Sequence, residues 1–280
     1  MITVLGPTAC GKTKYAVKLA EKLKGEIISA DSRQVFRKMN IGTGKDLEEY
    51  QINGKQIPYH IIDIKDPGEE YSVFEFKKDF EKAYQSIVEK GKTPILCGGT
   101  GLYLSSILQN YELKDVPLDA NFHNEMQNHP HEELIQRLKK HQPLHNVTDI
   151  ESKERTIRAL EIALHKANEP LKNNPKIEIL DTIAIFPERD IVKKRITDRL
   201  KLRLNSGMIE EVESLIQDEV PKEKLIQYGL EYKYVTLYLS GELNKIELFE
   251  KLNIAIHQFS KRQMTWFRKM QKEGVKMTII

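Results

Sequence analysis

The sequence predicts an α/β fold: a parallel sheet flanked by helices, with a helical insertion and a helical C-terminal region. Three observations support this prediction. Short apolar runs alternate with helical patterns over the first hundred residues, which is typical of a parallel sheet covered by helices. Strand patterns then stop between residues 114 and 175, and a β-rich run returns at residues 177–186. From residue 190 onward nearly every pattern is helical.

Apolar runs bounded by turn-forming residues predict the strands of the first part. They are Ile2–Leu5, Glu26–Ala30, Ile57–Asp63 and Pro94–Cys97. Helical patterns lie between them at Lys12–Leu23 and Ser72–Lys90. Glu75 follows Ser72 by three residues, and this spacing predicts a capping box at the start of the second helix.

Residues 114–175 are predicted to form three short helices. Asp149 or Ser152 is expected to cap the last one, whose apolar face would hold Ile157, Leu160 and Leu164. The chain therefore divides into the first part of the core (1–113), a helical insertion (114–175) and a return to the sheet with C-terminal helices (176–280). A last strand is expected at Val275–Ile280.

The composition is that of a soluble globular protein, with 40% hydrophobic and 30% charged residues. The chain has two cysteines, too few for a disulfide framework, which fits a reducing cytoplasm. It shows neither a leader pattern nor an apolar run long enough to cross a bilayer. We therefore expect a cytoplasmic protein that does not bind membranes.

Positive charge is concentrated in two segments of the C-terminal half. Residues 189–203 contain seven basic and two acidic residues, and residues 261–276 contain six basic and one acidic residue. The whole chain has a formal net charge of only +3, so these excesses favour a polyanionic ligand. Solvated helix faces would explain them equally well.

Residues Gly6–Thr13, GPTACGKT, match the pattern G-x-x-x-x-G-K-T in full. The match lies between a predicted strand and a predicted helix, which is the context that supports it. In such a loop, backbone N–H groups and the helix N-terminus bind phosphate oxygens, Lys12 neutralises the outer phosphates and Thr13 ligates Mg²⁺. The fold is thus predicted to be P-loop NTPase-like. The motif alone leaves the reaction open.

Other polar groups are predicted at the same edge of the sheet. Asp31 ends the second strand beside the loop, where it would hold Mg²⁺, act as a general base or cap the next helix. Asp63 is a rival Mg²⁺ carboxylate, although Pro67–Gly68 close behind also fits a plain turn. The segment Cys97–Tyr103, CGGTGLY, is a second glycine-rich turn in which Thr100 offers a hydroxyl; tight turns also use such glycines.

Five motifs recur in the same order in the tRNA dimethylallyltransferases, a family that the sequence resembles over nearly all of its length. They are GPTACGKT, SADSRQVF with MNIGTGK close behind, CGGTGLY, RTIRALEI and KRQMTWFRK. SADSRQV and KRQMTWFR are far more specific than the phosphate loop. The resemblance implies transfer of the dimethylallyl group from dimethylallyl diphosphate to N6 of adenosine at position 37, next to the anticodon. It also implies Mg²⁺ and the anticodon stem-loop of tRNA as partner. We expect a monomer, although the sequence does not determine the oligomeric state.

The resemblance further implies roles for individual residues. Asp31 would orient the amine and take its proton, and Thr100 would help to hold the target nucleotide. The diphosphate would bind Gly6, Pro7, Thr8, Ala9, Cys10, Gly11, Lys12, Thr13, Arg195 and Arg199. The tRNA would contact Asp31, Ser32, Arg33, Gln34, Thr100, Arg155, Arg158, Lys261, Arg262 and Arg268. Without the resemblance, Arg158 would fit an ordinary amphipathic helix, and Trp266 is expected to be a core residue.

The sequence departs from the family pattern at four positions that concern tRNA recognition. Leu230 and Glu231 replace a tyrosine and a basic residue, and Ile256-His257 replaces a Thr-Arg pair. These departures leave a prenyltransferase of free AMP or ATP as an alternative. A P-loop small-molecule kinase is a second alternative. A catalytically silent RNA-binding relative is a third, disfavoured because the residues of the phosphate loop and Asp31 are present.

Overall fold

The computed structural model describes residues 1–111, 113, 116–141, 147–150, 152–165 and 177–280. The chain divides into two compact units. Met1–Tyr111 and Lys176–Ile280 form the first, which we call the sheet unit, and Glu112–Pro175 forms the second, the helical unit. Among the described residues, none of the helices has both the length and the apolar composition needed to span a bilayer.

A six-stranded parallel sheet forms the centre of the sheet unit. Its strands are β1 (Ile2–Leu5), β2 (Glu26–Ala30), β5 (Tyr59–His60), β6 (Pro94–Gly98), β7 (Asp181–Ala184) and β8 (Thr278–Ile279). A separate antiparallel pair joins β3 (Gln51–Ile52) to β4 (Lys55–Gln56). The order β5-β2-β6-β1-β7-β8 places β1 between β6 and β7. Because β1 is covered on both faces, its sequence is a nearly continuous run of apolar residues and does not alternate between apolar and polar ones.

Helices cover the sheet and complete the unit. They are α1 (Lys12–Leu23), α2 (Val73–Glu89), α3 (Gly101–Leu108), α7 (Arg189–Leu204), α8 (Met208–Gln217), α9 (Lys222–Tyr228), α10 (Leu230–Leu239) and α11 (Lys245–Lys272), with a 3₁₀ turn at Leu47–Tyr50. One apolar cluster packs α1 against the sheet through Val17 and Ala20, and a larger one holds α2 through Phe76 and Phe80. The predicted α/β fold is confirmed.

The predicted capping box at the start of α2 is confirmed. The Ser72 hydroxyl accepts the N–H of Glu75 at 3.2 Å, and the Glu75 carboxylate accepts the N–H of Ser72 at 2.8 Å. Two of the four N–H groups that lack partners in the first turn of a helix are satisfied in this way.

The helical unit contains α4 (Ala120–Met126), α5 (His131–His141) and α6 (Lys153–His165), with a 3₁₀ turn at Val147–Ile150. Its core includes Leu134, Leu138, Ile157 and Leu160. The hydroxyl of Ser152 accepts the N–H of Arg155 at 3.3 Å, as expected for a residue that precedes α6. Leu164, expected on the apolar face, is exposed, and Ala163 packs inward instead.

The third predicted strand is shorter than expected. The prediction was Ile57–Asp63, whereas β5 contains only Tyr59–His60. Ile61 and Asp63 have positive φ angles of 62° and 57°, and this left-handed backbone ends the extended conformation. β7 and β8 are likewise shorter than the β-rich runs that predicted them.

Candidate active site

A cavity of about 290 Å³ lies in the sheet unit, and the loops that follow β1, β2 and β6 line it. Ligands of open α/β sheets bind at this carboxyl edge of the strands. The cavity brings together twelve of the residues singled out in the sequence. They are Thr8, Ala9, Gly11, Lys12, Thr13, Asp31, Ser32, Arg33, Gln34, Thr100, Arg195 and Arg199.

The phosphate loop joins β1 to α1 with two residues in the left-handed region. Ala9 has φ 60° and Gly11 has φ 91°, which lets the backbone curl and turn successive N–H groups inward. The N-terminus of α1 has no side-chain cap, so its first N–H groups are available to an anion. Lys12 donates to the carbonyl of Pro7 at 3.4 Å. The loop therefore has the backbone geometry of a phosphate site.

Gly6, Pro7 and Cys10 belong to the loop but do not line the cavity. Cys10 is buried, and its Sγ lies 2.6 Å from the point where a Cβ on Gly6 would be. The thiol therefore supports the loop from behind, and the phosphate-facing surface is built by the backbone.

Arginines of α7 approach the same loop. Arg199 donates to the hydroxyl of Thr8, and Arg195 donates to the carbonyl of Cys10 at 3.5 Å. Burial, and to a smaller extent the neighbouring Arg203, lower the pKa of Arg199 to about 10. Arg199 therefore stays cationic at neutral pH, where it favours the binding of an anion.

Asp31 and Thr100 are held at one point by the ends of β2 and β6. The N–H of Ser32 donates to the Thr100 hydroxyl at 3.0 Å, and the N–H of Thr100 donates to the carbonyl of Ala30 at 3.1 Å. Oδ1 of Asp31 accepts the N–H of Arg33 at 3.0 Å, which stabilises a turn rather than the start of a helix. Across the part of the chain that the structure describes, Oδ2 of Asp31 accepts no hydrogen bond. That oxygen is available to a ligand.

One wall of the cavity is the loop at residues 40–46, which contains the motif NIGTGK. The Glu211 carboxylate accepts three consecutive N–H groups of this loop, from Asn40 at 2.8 Å, Ile41 at 2.7 Å and Gly42 at 3.0 Å. It also accepts the hydroxyl of Tyr232 at 2.8 Å. A single carboxylate on α8 thus fixes the wall.

The rival carboxylate Asp63 lies outside the cavity, where it pairs with the ammonium of Lys45. That ammonium is buried and also donates to the carbonyl of Phe36 at 2.6 Å. Burial lowers the pKa of Lys45, and the ion pair with Asp63 opposes this shift. Asp63 therefore holds the cavity wall in place, and the interpretation as a Mg²⁺ carboxylate is wrong.

Gln263 of α11 is a site residue that the sequence analysis did not identify. Its Oε1 accepts the N–H of Thr8 at 2.8 Å, and its Nε2 donates to the carbonyl of Gly99 at 2.9 Å. The available signal was its position on the inward face of a helix, with Ile256 and Phe267 on that same face. A polar residue in an apolar stripe needs partners, and here both glycine-rich turns provide them.

Other predicted residues are not among those that line the cavity. Lys261, Arg262 and Arg268 are exposed on α11. Arg155 and Arg158 belong to the helical unit, where Arg158 pairs with Glu161 and donates to the carbonyls of Val116 at 2.6 Å and Pro117 at 3.4 Å. Arg158 therefore stabilises its own unit, as an ordinary helix residue would.

Trp266 packs against the apolar core of the sheet unit. Its Nε1 donates to the hydroxyl of Ser105 at 2.8 Å, and its Cγ lies 2.4 Å from the point where a Cβ on Gly101 would be. The ring therefore anchors α11 to α3.

Three of the four departures from the family pattern line the cavity. Leu230, with φ 45°, begins α10, and both Glu231 and Ile256 are buried. His257 instead shares a hydrogen bond with the hydroxyl of Thr197 at 3.3 Å, and burial lowers its pKa. The departures therefore shape the cavity itself.

Two family models and several proteins of known name match this chain over nearly all of its length. The family described as IPP transferase matches residues 34–270, and the family described as Isopentenyl transferase matches residues 1–59. tRNA dimethylallyltransferase 2 of Porphyromonas gingivalis is 52% identical, over 98% of this chain and 91% of that protein. tRNA dimethylallyltransferase 1 of Azobacteroides pseudotrichonymphae is 51% identical, over 99% of this chain and 91% of that protein.

A solved structure agrees with these sequence relatives. The full-length tRNA isopentenylpyrophosphate transferase from Bacillus halodurans has a TM-score of 0.70 at 32% identity, covering 100% of this chain and 88% of its own. With a family match over most of its residues and relatives at half identity, the chain belongs to the IPP transferase family.

Proposed function

We propose that the protein transfers the dimethylallyl group of dimethylallyl diphosphate to N6 of adenosine at position 37 of tRNA and releases diphosphate. The observation that carries this proposal is that the phosphate loop and Asp31, with its free Oδ2, line one cavity. A loop suited to phosphate and a carboxylate suited to accept a proton therefore face one cavity, which supports a transfer between two substrates bound there. The names of the relatives support tRNA as the acceptor.

The leaving group is the first half of the chemistry. As the bond between the allylic carbon and oxygen breaks, negative charge develops on the diphosphate. In this proposal, that charge is stabilised by N–H groups of the loop and by Lys12, Arg195 and Arg199. Donors that are already oriented stabilise it well, because they need not reorganise during the reaction.

The nucleophile is the second half. The lone pair of an exocyclic adenine amine is delocalised into the ring, so the amine attacks well only as it loses a proton. As the new carbon–nitrogen bond forms, the Asp31 carboxylate takes the N6 proton, and the Thr100 hydroxyl helps to hold the nucleotide. The base must first be unstacked from the anticodon loop to reach an enclosed cavity.

Mg²⁺ is the cofactor of this proposal. Thr13 lines the cavity and offers a hydroxyl oxygen, which is the donor type that Mg²⁺ prefers. Among the described residues, no cluster of three or more His, Cys, Asp or Glu side chains is placed to hold a metal alone. The donors present therefore fit a P-loop site, in which substrate phosphates complete the shell. When bound there, Mg²⁺ would neutralise charge on the diphosphate.

The anticodon stem-loop is the proposed macromolecular partner. The exposed Lys261, Arg262 and Arg268 of α11 offer positive charge to RNA phosphates, and the helical insertion (114–175) is proposed to add further contacts through Arg155. The proposal treats the protein as a monomer. Cys10 and Cys97 are both free thiols, which supports a cytoplasmic location.

Transfer of label between defined substrates tests the function. The protein is incubated with labelled dimethylallyl diphosphate or labelled ATP, and unmodified tRNA or AMP is offered as acceptor. We expect prenyl label on tRNA. Prenyl label on AMP would identify a free-nucleotide prenyltransferase. Phosphate transfer from ATP without prenyl transfer would identify a kinase.

Asp31→Asn tests the proton acceptor. The amide keeps an oxygen for the N–H of Arg33 but is no longer a base, so we expect the transfer rate to fall by about 10²–10⁴-fold while tRNA still binds. The control is Asp66→Asn, which alters an exposed carboxylate paired with Arg37. Near-normal turnover in Asp31→Asn would exclude the general-base role.

A further inference from the structure

The side chain of Gln263 bridges two loops that bind different reactants in the proposed reaction. Oε1 accepts the N–H of Thr8 in the phosphate loop at 2.8 Å. Nε2 donates to the carbonyl of Gly99, one residue before Thr100, at 2.9 Å. The side chain is 6% exposed, so water competes little for either bond.

The second turn extends this bridge to the proposed base. Thr100 accepts the N–H of Ser32, the residue that follows Asp31, at 3.0 Å. A continuous path of hydrogen bonds and peptide units therefore runs from Thr8 through Gln263 and Gly99 to the start of the Asp31 turn. This path links the diphosphate side of the cavity to the nucleophile side.

The absence of a side chain on Gly99 makes the bridge possible. A Cβ on Gly99 would lie 2.5 Å from Nε2 of Gln263, 3.2 Å from the carbonyl oxygen of Gly6 and 3.5 Å from Nζ of Lys12. Both turns and the inward face of α11 meet at this point.

We infer that Gln263 is a positioning residue, which sets the distance between the phosphate loop and the Asp31–Thr100 pair by bonding both turns at once. The inference rests on the proposed function, since it assigns the two turns to the two substrates. Displacement of reacting groups by 1 Å can lower a rate about 10²-fold without removing either binding site. Loss of the bridge should therefore lower kcat more than it weakens the binding of either substrate.

Two variants remove the bridge in different ways. Gln263→Met keeps the length and loses both hydrogen bonds, whereas Gln263→Asn stays polar but is one methylene too short to bond both turns. We expect kcat for prenyl transfer to fall about 30-fold or more in each. The Kd for inorganic diphosphate, measured by calorimetry, and the Kd for tRNA should each change less than about threefold. Should Gln263→Met fail to fold, the same comparison is made with Gln263→Asn.

Trp266→Phe is the control for the packing of α11, because this ring packs on Gly101 and donates its hydrogen bond to Ser105 of α3, whereas Gln263 bonds Thr8 and Gly99. It should lower the melting temperature and keep kcat within about twofold of wild type. The inference is overturned if both Gln263 variants keep kcat within threefold, or if their loss equals that of Trp266→Phe at equal melting temperature. It is also overturned if their defect is entirely a rise in Kd. Absence of transfer by the wild-type protein would instead overturn the proposed function.

Discussion

The two glycine-rich turns at the carboxyl edge of the sheet look alike in sequence and use glycine differently. In the phosphate loop, Gly11 has φ 91°, and a Cβ placed on it would meet nothing within 4 Å. In the second turn the glycines are crowded: a Cβ would lie 2.2 Å from the carbonyl oxygen of Ala30 at Gly98, and 2.4 Å from the Trp266 ring at Gly101. Gly11 is required because the backbone there is left-handed. Gly98 and Gly101 are required because neighbouring atoms leave no room for a Cβ.

The glycine of the phosphate loop serves the binding of a ligand, whereas the glycines of the second turn serve packing within the protein. The phosphate loop turns the first N–H groups of α1 toward the cavity, where an anion would bind. The second turn is packed against β2 and α11, and it contributes Cys97, Gly98 and Thr100 to the lining of the cavity. Substitutions in the two turns should therefore fail for different reasons.

Gly98→Ala should have the largest effect. Its Cβ would meet backbone atoms of the neighbouring strand, which cannot move without breaking the pairing of Ala30 with Gly98. We expect the free energy of unfolding to fall by about 3 kcal/mol, the upper end for overpacking. Urea denaturation followed by the fluorescence of Trp266, the one tryptophan, measures it. A loss below about 1 kcal/mol would contradict the crowding argument.

Gly11→Ala should have an intermediate effect of another kind. The alanine side chain has space, so the cost is the left-handed backbone conformation, about 1–2 kcal/mol. We also expect weaker binding of inorganic diphosphate, measured by calorimetry, because relaxation of φ turns N–H groups away. The control is Gly91→Ala, also at positive φ with open space but outside the cavity. It should lose similar stability and keep its diphosphate affinity; equal losses of affinity would refute the explanation.

Cys10→Ser should have the smallest effect. Sγ is buried behind the loop, and the phosphate-facing groups there belong to the backbone. We expect prenyl transfer to stay within about twofold of wild type, since such a loop binds through its N–H groups. A loss above tenfold in the transfer assay would mean that the thiol itself contributes to the site.

Local signals explain what the sequence predicted well. β1, β2 and α1 begin and end at the predicted residues, because an apolar run, a glycine loop and a helical period define them without help from distant residues. Nearby residues also define the phosphate loop. Its conformation follows from glycines and a following helix.

Long-range partners explain what the sequence did not predict. The third strand ends at His60 because Ile61 has a left-handed backbone, and Asp63 beyond it pairs with Lys45. Gln263 was missed because its role depends on Thr8 and Gly99, which are far from it in the sequence. The contacts of Arg158 with Val116 and Glu161 were not predicted either, and its contact with tRNA stays a prediction. Neither residue carries a pattern that reveals those partners.

The bond from Thr8 to Gln263 has a consequence for biosynthesis. The two residues are 255 positions apart, so the phosphate loop leaves the ribosome well before α11 and waits for this partner. At about 5–20 residues per second, that interval is tens of seconds at the slower rates. A nascent chain that stops before α11 would therefore carry the complete GPTACGKT motif yet lack the residue that joins it to the second turn.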